Sequence, residues 1–251
     1  RDQINNDLYK PNVIAITNRV DSSIGRQISN VIDVSAGIEI GVAATKTFFG
    51  QLLSFYGLAI TFAQIRKSKS NEEINKLISG LTNLPPILQE LVNSHNEISE
   101  KLAHDFSDIT DVIFLGRGIN YPIALEGALK LKEISYIHAA GYPAGEMKHG
   151  PIALIDKNVP VISIATPGKV FEKVISNAQE AKARDAILIG ISPESEGADI
   201  FDYLMPLPII EEWLSPLVAV IPLQLLSYHI AAHRGLDVDQ PRNLAKSVTV
   251  E

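Results

Sequence analysis

The sequence of 251 residues contains no cysteine. Disulfides, thiolate metal sites and cysteine nucleophiles are therefore excluded in this chain, and the composition fits a reducing cytosol. Basic residues are also in the minority, since 22 Lys and Arg stand against 29 Asp and Glu and the net charge is -7. A nucleic-acid surface needs clustered cations to neutralise phosphates, and no such cluster is visible. We expect no nucleic-acid partner.

Long apolar runs are absent as well. The longest largely apolar runs, such as residues 216–226, are shorter than the roughly 20 residues that a membrane-spanning helix needs. The N-terminus lacks the charged-then-apolar pattern of a signal peptide. We therefore expect a cytoplasmic protein that does not contact a membrane, with one or two globular domains in a chain of this length.

The first part of the chain predicts an α/β unit. A short apolar run at residues 12–17 predicts a buried strand, and a second run at 31–34 follows a polar stretch with a possible helix at 22–29. From Gly41 the apolar period becomes helical, so we predict one long, largely buried helix over residues 41–68. Strands that alternate with helices indicate a parallel sheet.

The second part repeats this alternation. Two amphipathic helical patterns between residues 70 and 108, broken at Leu84-Pro85-Pro86, connect it to the first part. A turn-rich passage is predicted from about residue 137 to Gly150. The predicted strands cover residues 111–115, 159–165, 186–191 and 203–207, and the predicted helices cover 121–136, 169–183 and 214–233.

The helix at 121–136 has a polar stripe. Glu126, Lys130 and Glu133 lie three and four residues apart, so they share one face of an otherwise apolar helix. The helix follows a strand and a glycine turn, which is where open α/β sheets hold ligands. His149 follows in a Gly/Pro-rich stretch. A carboxylate, an amine and an imidazole are thus within plausible reach of each other, although Lys130 could also serve only as the ion-pair partner of Glu126.

A faint internal repeat relates the two parts. Residues 51–55, QLLSF, correspond to 224–228, QLLSY, and the sequences before both segments also match. The second copy has about 75 residues before the matching region, whereas the first has almost none. We therefore expect the first unit to be incomplete in this sequence, with apolar strand edges and faces left uncovered.

Two other site classes find no support. The turn Gly116-Arg117-Gly118 begins like a dinucleotide fingerprint, but Tyr121 stands where the third glycine belongs and no acidic residue ends the following strand. No His/Asp/Glu group has metal-ligand spacing. We expect neither a nucleotide cofactor nor a metal.

Three motifs carry a specific resemblance: ALEGALKLKE at 124–133, GEMKHGP at 145–151, and the tail DVDQPRNLAKSVTVE at 237–251. Together they resemble the sugar isomerase (SIS) part of the glucosamine-6-phosphate synthase family, also called glutamine:fructose-6-phosphate transaminases (isomerising). The likeness covers essentially the whole chain. It implies two SIS subdomains, each a flavodoxin-like α/β/α sandwich with a mainly parallel sheet, and a homodimer with a shared active site.

The same resemblance implies the reaction. Members convert fructose 6-phosphate to glucosamine 6-phosphate in amino-sugar biosynthesis, with ammonia from an N-terminal glutaminase domain that this sequence lacks. It implies that Glu133 moves a proton between C1 and C2, that His149 opens the sugar ring from the neighbouring subunit, and that Lys246 forms a Schiff base with the ketose. Lys130 would assist at the substrate hydroxyls.

Substrate contacts follow from the same family pattern. Val42 and Ala44 stand in a segment resembling GTEIGVAST, where Ile38 replaces Thr and Ala44 replaces Ser, so only backbone contacts are expected there. Ala245 would line the pocket, and Arg242 would anchor the tail. The family's phosphate-binding loop belongs to the missing opening segment, so we expect weak or no activity for residues 1–251 alone.

The domain assignment that follows has four parts: the second half of a first SIS subdomain at 1–69, a helical connector at 70–108, a second SIS subdomain at 109–235 and an active-site tail at 236–251. Two alternatives to the synthase stay open. One is an SIS deaminase or isomerase without a glutaminase partner, against which the tail argues. The other is a non-catalytic sugar-phosphate sensor, which would have no need of Glu133, His149 and Lys246 together.

Overall fold

The computed structural model describes residues 11–195 and 197–246. The chain divides into two compact units. The first contains residues 11–40 and 44–75, and the second contains residues 41–43 and 76–246. The four-part domain assignment from the sequence stays a prediction, and its outermost residues, 1–10 and 247–251, lie outside the described residues.

The first unit is small. Strands β1 (Ile14–Thr17) and β2 (Asn30–Asp33) pair in parallel and are connected by helix α1 (Ser23–Gln27), and helix α2 (Lys46–Ile65) follows. The prediction that this long helix is largely buried is wrong, because none of its residues is buried. Phe55 and Ile65 are 59% and 70% exposed. Among the described residues, a sheet of two strands offers α2 too little surface to cover it.

Two helices connect the sheets along the chain. Helix α3 (Asn71–Thr82) ends just before helix α4 (Leu84–Asp105), which has Pro85 and Pro86 in its first turn. Proline suits a first helical turn because its missing N–H would be unpaired there anyway. The sequence predicted that the helical pattern is interrupted at Pro85-Pro86, and in the structure these two prolines lie in the first turn of α4.

The second unit is a three-layer α/β/α sandwich. Its elements are β3 (Asp111–Gly116), α5 (Tyr121–Ser135), β4 (His138–Pro143), β5 (Val161–Ile164), α6 (Phe171–Lys182), β6 (Leu188–Ser192), β7 (Tyr203–Pro206) and α7 (Ser215–His233). The five strands are parallel, in the order β4-β3-β5-β6-β7. Renumbered within the unit, this order is 2-1-3-4-5, the flavodoxin-like arrangement. The predicted fold class is confirmed.

Both faces of this sheet are covered. Ile113 and Leu115 of β3 belong to a core cluster with Val174 and Ala178 of α6. On the opposite face α5 packs on α7, and the closeness of this packing depends on a glycine. A Cβ atom on Gly127 would lie 2.9 Å from Leu223 and 3.0 Å from Phe114. Such two-sided burial explains why the strands are almost uninterrupted apolar runs.

The sequence prediction missed strand β4. Residues 138–143 lie within the passage that was predicted to be turn-rich, yet they pair in parallel with β3 along its whole length. Small residues obscure the signal, since Ala139, Ala140 and Gly141 lack the β-branched side chains that favour strands. Gly141 is needed for packing, because a Cβ there would lie 3.0 Å from the Cα of Leu125 on α5.

Two described helices are long and apolar enough to cross a bilayer by length and composition alone: Lys46–Ile65 and the continuous helical segment Glu212–His233. The length of the apolar runs in the sequence had indicated no membrane-spanning helix, because single polar residues interrupt the runs within these two helices. In the segment 212–233, 72% of an 18-residue window is buried inside the protein. These features are weak evidence for a membrane location.

The C-terminal end of α5 is held by one arginine. The guanidinium of Arg234, which follows α7, donates hydrogen bonds to the backbone carbonyls of Ser107, Ile109 and Ser135 at 2.6, 2.7 and 2.8 Å. Ser135 is the last residue of α5, whose terminal carbonyls have no partner inside the helix. The arginine therefore fixes the end of α5 against the ends of two other helices.

Candidate active site

Helix α5 carries the predicted polar stripe into the protein interior. Glu126 and Lys130 are 8% and 4% exposed, and the side chain of Glu133, one turn further on, is 21% exposed. The Lys130 ammonium donates a hydrogen bond to Glu133 Oε2 at 2.6 Å and lies 3.6 Å from Glu126 Oε1. The helix thus places one ammonium between two carboxylates, with Glu133 nearest to solvent.

A buried lysine is rare unless it is paired, and here the pairing is double. If both glutamates were ionised, the buried stripe would hold a net negative charge. Burial is the largest of the influences that together raise the pKa of Glu126 from 4.5 to about 7; Lys130 lowers this pKa, and the Glu133 carboxylate raises it slightly. The stripe therefore resolves into one ion pair, Lys130–Glu133, and one carboxyl group poised to gain or lose a proton near neutral pH.

Glu126 is a candidate site residue that the sequence analysis did not select. Its Oε1 atom is buried without a hydrogen-bond partner among the described residues. The sequence had identified Glu126 only as a partner for Lys130. The spacing of 126, 130 and 133 was the available signal, but the spacing cannot distinguish a wet helix face from a dry one.

His149 lies at the end of a 3₁₀-helical segment, Ala144–His149, that directly follows β4. Ala144 and Met147 of this segment are completely buried, whereas His149 is exposed. Gly150 has a φ of 146°, which a residue with a side chain rarely adopts. Within the described residues, no hydrogen bond joins the imidazole to Glu133 or Lys130.

Two contacts hold the segment that bears His149, one through Lys148 and one through Gly145. Lys148 forms an ion pair with Glu180 of α6 at 2.8 Å. The Arg117 guanidinium donates a hydrogen bond to Asn177 of α6 at 3.3 Å and lies so close to Gly145 that a Cβ atom there would come within 2.9 Å of it. The glycine turn that resembled a nucleotide fingerprint therefore supplies a residue that supports the His149 segment.

The C-terminal tail reaches back to a short segment of the same unit. Asp239 accepts a backbone hydrogen bond from Val42 at 2.9 Å, and the Lys246 ammonium donates a hydrogen bond to the Gly41 carbonyl at 2.7 Å. The structure thus brings together three of the predicted residues: Lys246, its neighbour Ala245, and Val42. Lys246 and Ala245 are exposed, so the desolvation expected for a Schiff-base lysine is not present in the described chain.

The remaining predicted contact is Ala44, which belongs to the first compact unit. The predicted residues therefore form three groups: Lys130 with Glu133 on α5, Val42 with the tail residues, and His149 on its own segment. No group of three or more His, Asp or Glu residues with the geometry to hold a metal occurs in residues 11–195 and 197–246.

Glu126 should make the stability of the second unit depend on pH. The folded unit holds this proton up to a pKa of about 7, whereas an unfolded glutamate loses it near 4.5. The contribution to stability is therefore complete below pH 4.5 and is lost as the pH rises through 7. We expect a loss of about 3 kcal/mol, at about 1.4 kcal/mol per pKa unit. A Glu126→Gln variant should lack this dependence.

The measurement is urea unfolding at about pH 4 and about pH 8, on either side of the titration. Fluorescence of Trp213, the single tryptophan, reports on the second unit. Glu172→Gln, at an exposed glutamate of α6, is the matched control and should keep the wild-type pH dependence. Parallel profiles for the wild type and Glu126→Gln would show that Glu126 does not carry the pKa shift.

Comparison with known proteins places this geometry in a family. The SIS domain model matches residues 105–234, which is more than half of the chain. Glutamine–fructose-6-phosphate aminotransferase [isomerizing] of Synechocystis sp. is 63% identical over 98% of the chain, and its namesake in Methanosarcina acetivorans is 48% identical over 97%. The chain spans 39% and 40% of these two relatives.

Solved structures of similar proteins also have this fold. The C-terminal domain of glucosamine-fructose-6-phosphate aminotransferase from Francisella tularensis superposes with a TM-score of 0.86 at 41% identity, covering 91% of this chain and 64% of that one. A glucosamine-6-phosphate deaminase from Thermotoga maritima superposes with a TM-score of 0.73 at 26% identity, covering 95% of this chain and 67% of the other. The chain belongs to the SIS domain family.

Proposed function

We propose that this chain is the isomerase part of a glutamine:fructose-6-phosphate aminotransferase, in which fructose 6-phosphate and ammonia give glucosamine 6-phosphate and water. The observation that carries the proposal is the buried stripe Glu126–Lys130–Glu133 on α5. Burying ionisable groups is costly for a protein that only binds a sugar, whereas a proton transfer at a sugar carbon uses a carboxylate that is held in place. The names of the relatives support the same reaction.

Glu133 is the base for the isomerisation. It is partly exposed at 21% and is hydrogen-bonded by Lys130, so one carboxylate oxygen can reach a substrate while the other stays fixed. After the imine forms at C2, Glu133 takes a proton from C1 and returns it to C2, which converts the ketose imine into an aldose amine. Lys130 holds the carboxylate in place and stabilises negative charge on the neighbouring hydroxyls.

His149 and Lys246 perform the other two steps. The exposed imidazole of His149 transfers the proton that opens the sugar ring. The Lys246 amine then attacks the C2 carbonyl and expels water, forming a Schiff base from which ammonia later releases the lysine. Val42 and Ala245 line the sugar, and Ala44 of the first compact unit stays a predicted substrate contact. We propose no metal or organic cofactor, because the proton transfers and imine exchange need none.

The proposal includes partners. Ammonia comes from a glutaminase domain, which fits the length of the relatives beyond the part this chain matches. Two copies form a homodimer in which each His149 serves the neighbouring site, and this fits the absence of a hydrogen bond between His149 and Glu133 or Lys130 within the described residues. We propose a cytoplasmic location, without nucleic-acid or membrane partners, and a second SIS subdomain at 109–235 with an active-site tail at 236–251.

A second candidate is a deaminase that runs the chemistry in the opposite direction, from glucosamine 6-phosphate and water to fructose 6-phosphate and ammonia. The likeness to the Thermotoga maritima deaminase favours it, although at a lower identity than to the aminotransferases. The same stripe would serve either direction. A non-catalytic sugar sensor is less well supported, because Glu126 and Lys130 would be an energetic cost without a use.

In the longest natural form of the protein, Lys246 should be trapped by sodium borohydride in the presence of fructose 6-phosphate. Reduction of the Schiff base should attach the sugar phosphate to Lys246, as measured by peptide mass spectrometry. Glu133→Gln should still be trapped, since imine formation precedes its step, whereas Lys246→Arg should not. Lys169→Arg, at an exposed lysine of the same unit, is the matched control. Labelling spread over several lysines, or none with fructose 6-phosphate, would contradict the assignment.

Subunit mixing tests the shared site. In the longest natural form of the protein, His149→Asn and Lys246→Met should each abolish activity. Co-expressed together, they should recover about a quarter of the wild-type activity, because half of the dimers are mixed and each mixed dimer has one intact site. Mixing Glu133→Gln with Lys246→Met is the control and should recover nothing, since both residues serve the same subunit's site. Equal recovery in both mixtures, or none in either, would contradict the donation of His149 across the dimer.

A further inference from the structure

Tyr136, the residue after α5, has an unusual backbone. Its φ of 63° and ψ of 15° are left-handed, a conformation that costs a residue with a side chain about 1 kcal/mol. Helices commonly end in this conformation, but usually on glycine, which adopts it without strain. A bulky aromatic residue at this position is therefore maintained by contacts that its side chain makes.

Two such contacts go to one residue of the C-terminal tail. The guanidinium of Arg242 lies 4.2 Å from the centroid of the Tyr136 ring, and the backbone N–H of Arg242 donates a hydrogen bond to the Tyr136 hydroxyl at 2.8 Å. A cation over an aromatic face contributes about 0.5–1 kcal/mol at an exposed site, and the hydrogen bond contributes about 1 kcal/mol. Together they offset the backbone strain.

The tail around this contact is ordered by local turns. The Asp237 carboxylate accepts hydrogen bonds from the backbone N–H groups of Asp239 and Gln240 at 3.0 and 2.9 Å. Asn243 is also left-handed, with a φ of 63°. Tyr136 therefore supports the tail at Arg242, which lies four residues before Lys246. Tyr136 itself lies three residues after Glu133. The same residue touches the tail and ends the helix that bears the stripe.

We propose that Tyr136 is a positioning residue that seats the C-terminal tail on the end of α5, so that the Lys246 amine is presented at a fixed place relative to Glu133. This inference rests on the proposed function of Lys246. Arg234 contributes by fixing the end of α5 through the Ser135 carbonyl, which gives the anchor a rigid base. The left-handed backbone of Tyr136 is strained, and this strain is tolerated because it brings the aromatic ring into contact with Arg242 of the tail.

A series of substitutions separates positioning from simple stability. Asparagine tolerates the left-handed conformation and alanine does not, so Tyr136→Asn should be more stable to urea than Tyr136→Ala. Both variants lack the ring and the hydroxyl. If Tyr136 positions Lys246, both should slow the borohydride trapping of fructose 6-phosphate on Lys246 about tenfold, whatever their stabilities. Tyr136→Phe keeps the ring but lacks the hydroxyl, so its rate of trapping should lie between the rates of these two variants and the wild type.

Amide hydrogen exchange provides a readout that does not depend on sugar chemistry. The Arg242 amide should exchange faster in Tyr136→Phe, which lacks its acceptor, and faster still in Tyr136→Asn. Tyr228→Phe, at a half-exposed tyrosine of α7, is the matched control and should leave both readouts unchanged. Arg242→Ala removes only the cation over the ring, because its backbone N–H can still bond the Tyr136 hydroxyl, so it should slow trapping less than Tyr136→Asn does. The double variant should be no slower than Tyr136→Asn.

The outcomes distinguish the two claims. If the wild type never captures sugar on Lys246, the proposed function fails, while the exchange of the Arg242 amide still tests the anchor. If Tyr136→Asn keeps both wild-type trapping and wild-type amide protection, the anchor is overturned. If trapping follows stability, with asparagine near wild type and alanine slow, Tyr136 has a structural role only and the positioning proposal is wrong.

Discussion

Lys130 is an ammonium inside the protein, and its two carboxylate neighbours determine how the rest of the second unit can be built. Pairing with Glu133 at 2.6 Å satisfies the charge, and a second ionised carboxylate at Glu126 would then be in excess. Burial raises the pKa of Glu126 to about 7, so this carboxyl group can remain protonated and the excess negative charge is avoided. The site therefore holds an exchangeable proton behind a fixed ion pair. Keeping that arrangement dry requires α5 to lie tightly on the sheet and on α7, which Gly127 and Gly141 permit.

Much of the second unit follows from the sequence, because its central strands are short apolar runs that can only be buried on both sides. The predicted strands at 111–115, 159–165, 186–191 and 203–207 and the three helices are present within a few residues. Strand β4 was missed since an edge strand made of small residues lacks a propensity signal. The burial of α2 was wrong because helical periodicity shows which face is apolar, and says nothing about what covers it.

The site was partly predictable for a similar reason. Helical spacing places Glu126, Lys130 and Glu133 on one face, and the structure has them there. Which of them is buried depends on elements far away in sequence, so Glu126 emerged only from the packed structure. The anchor between Tyr136 and Arg242 spans 106 residues and uses a left-handed backbone that no pattern of residue types predicts at a tyrosine.

Hydrogen exchange at the substrate tests the central claim most directly, because it detects the base itself. Fructose 6-phosphate incubated in deuterated water with the longest natural form of the protein should take up deuterium at C1, as seen by proton NMR. The reason is that a carboxylate that moves a proton between C1 and C2 exchanges it with solvent. Glu133→Gln should lose this uptake, and Glu172→Gln should keep it. Uptake that is unchanged in Glu133→Gln would show that the stripe on α5 does not supply the base.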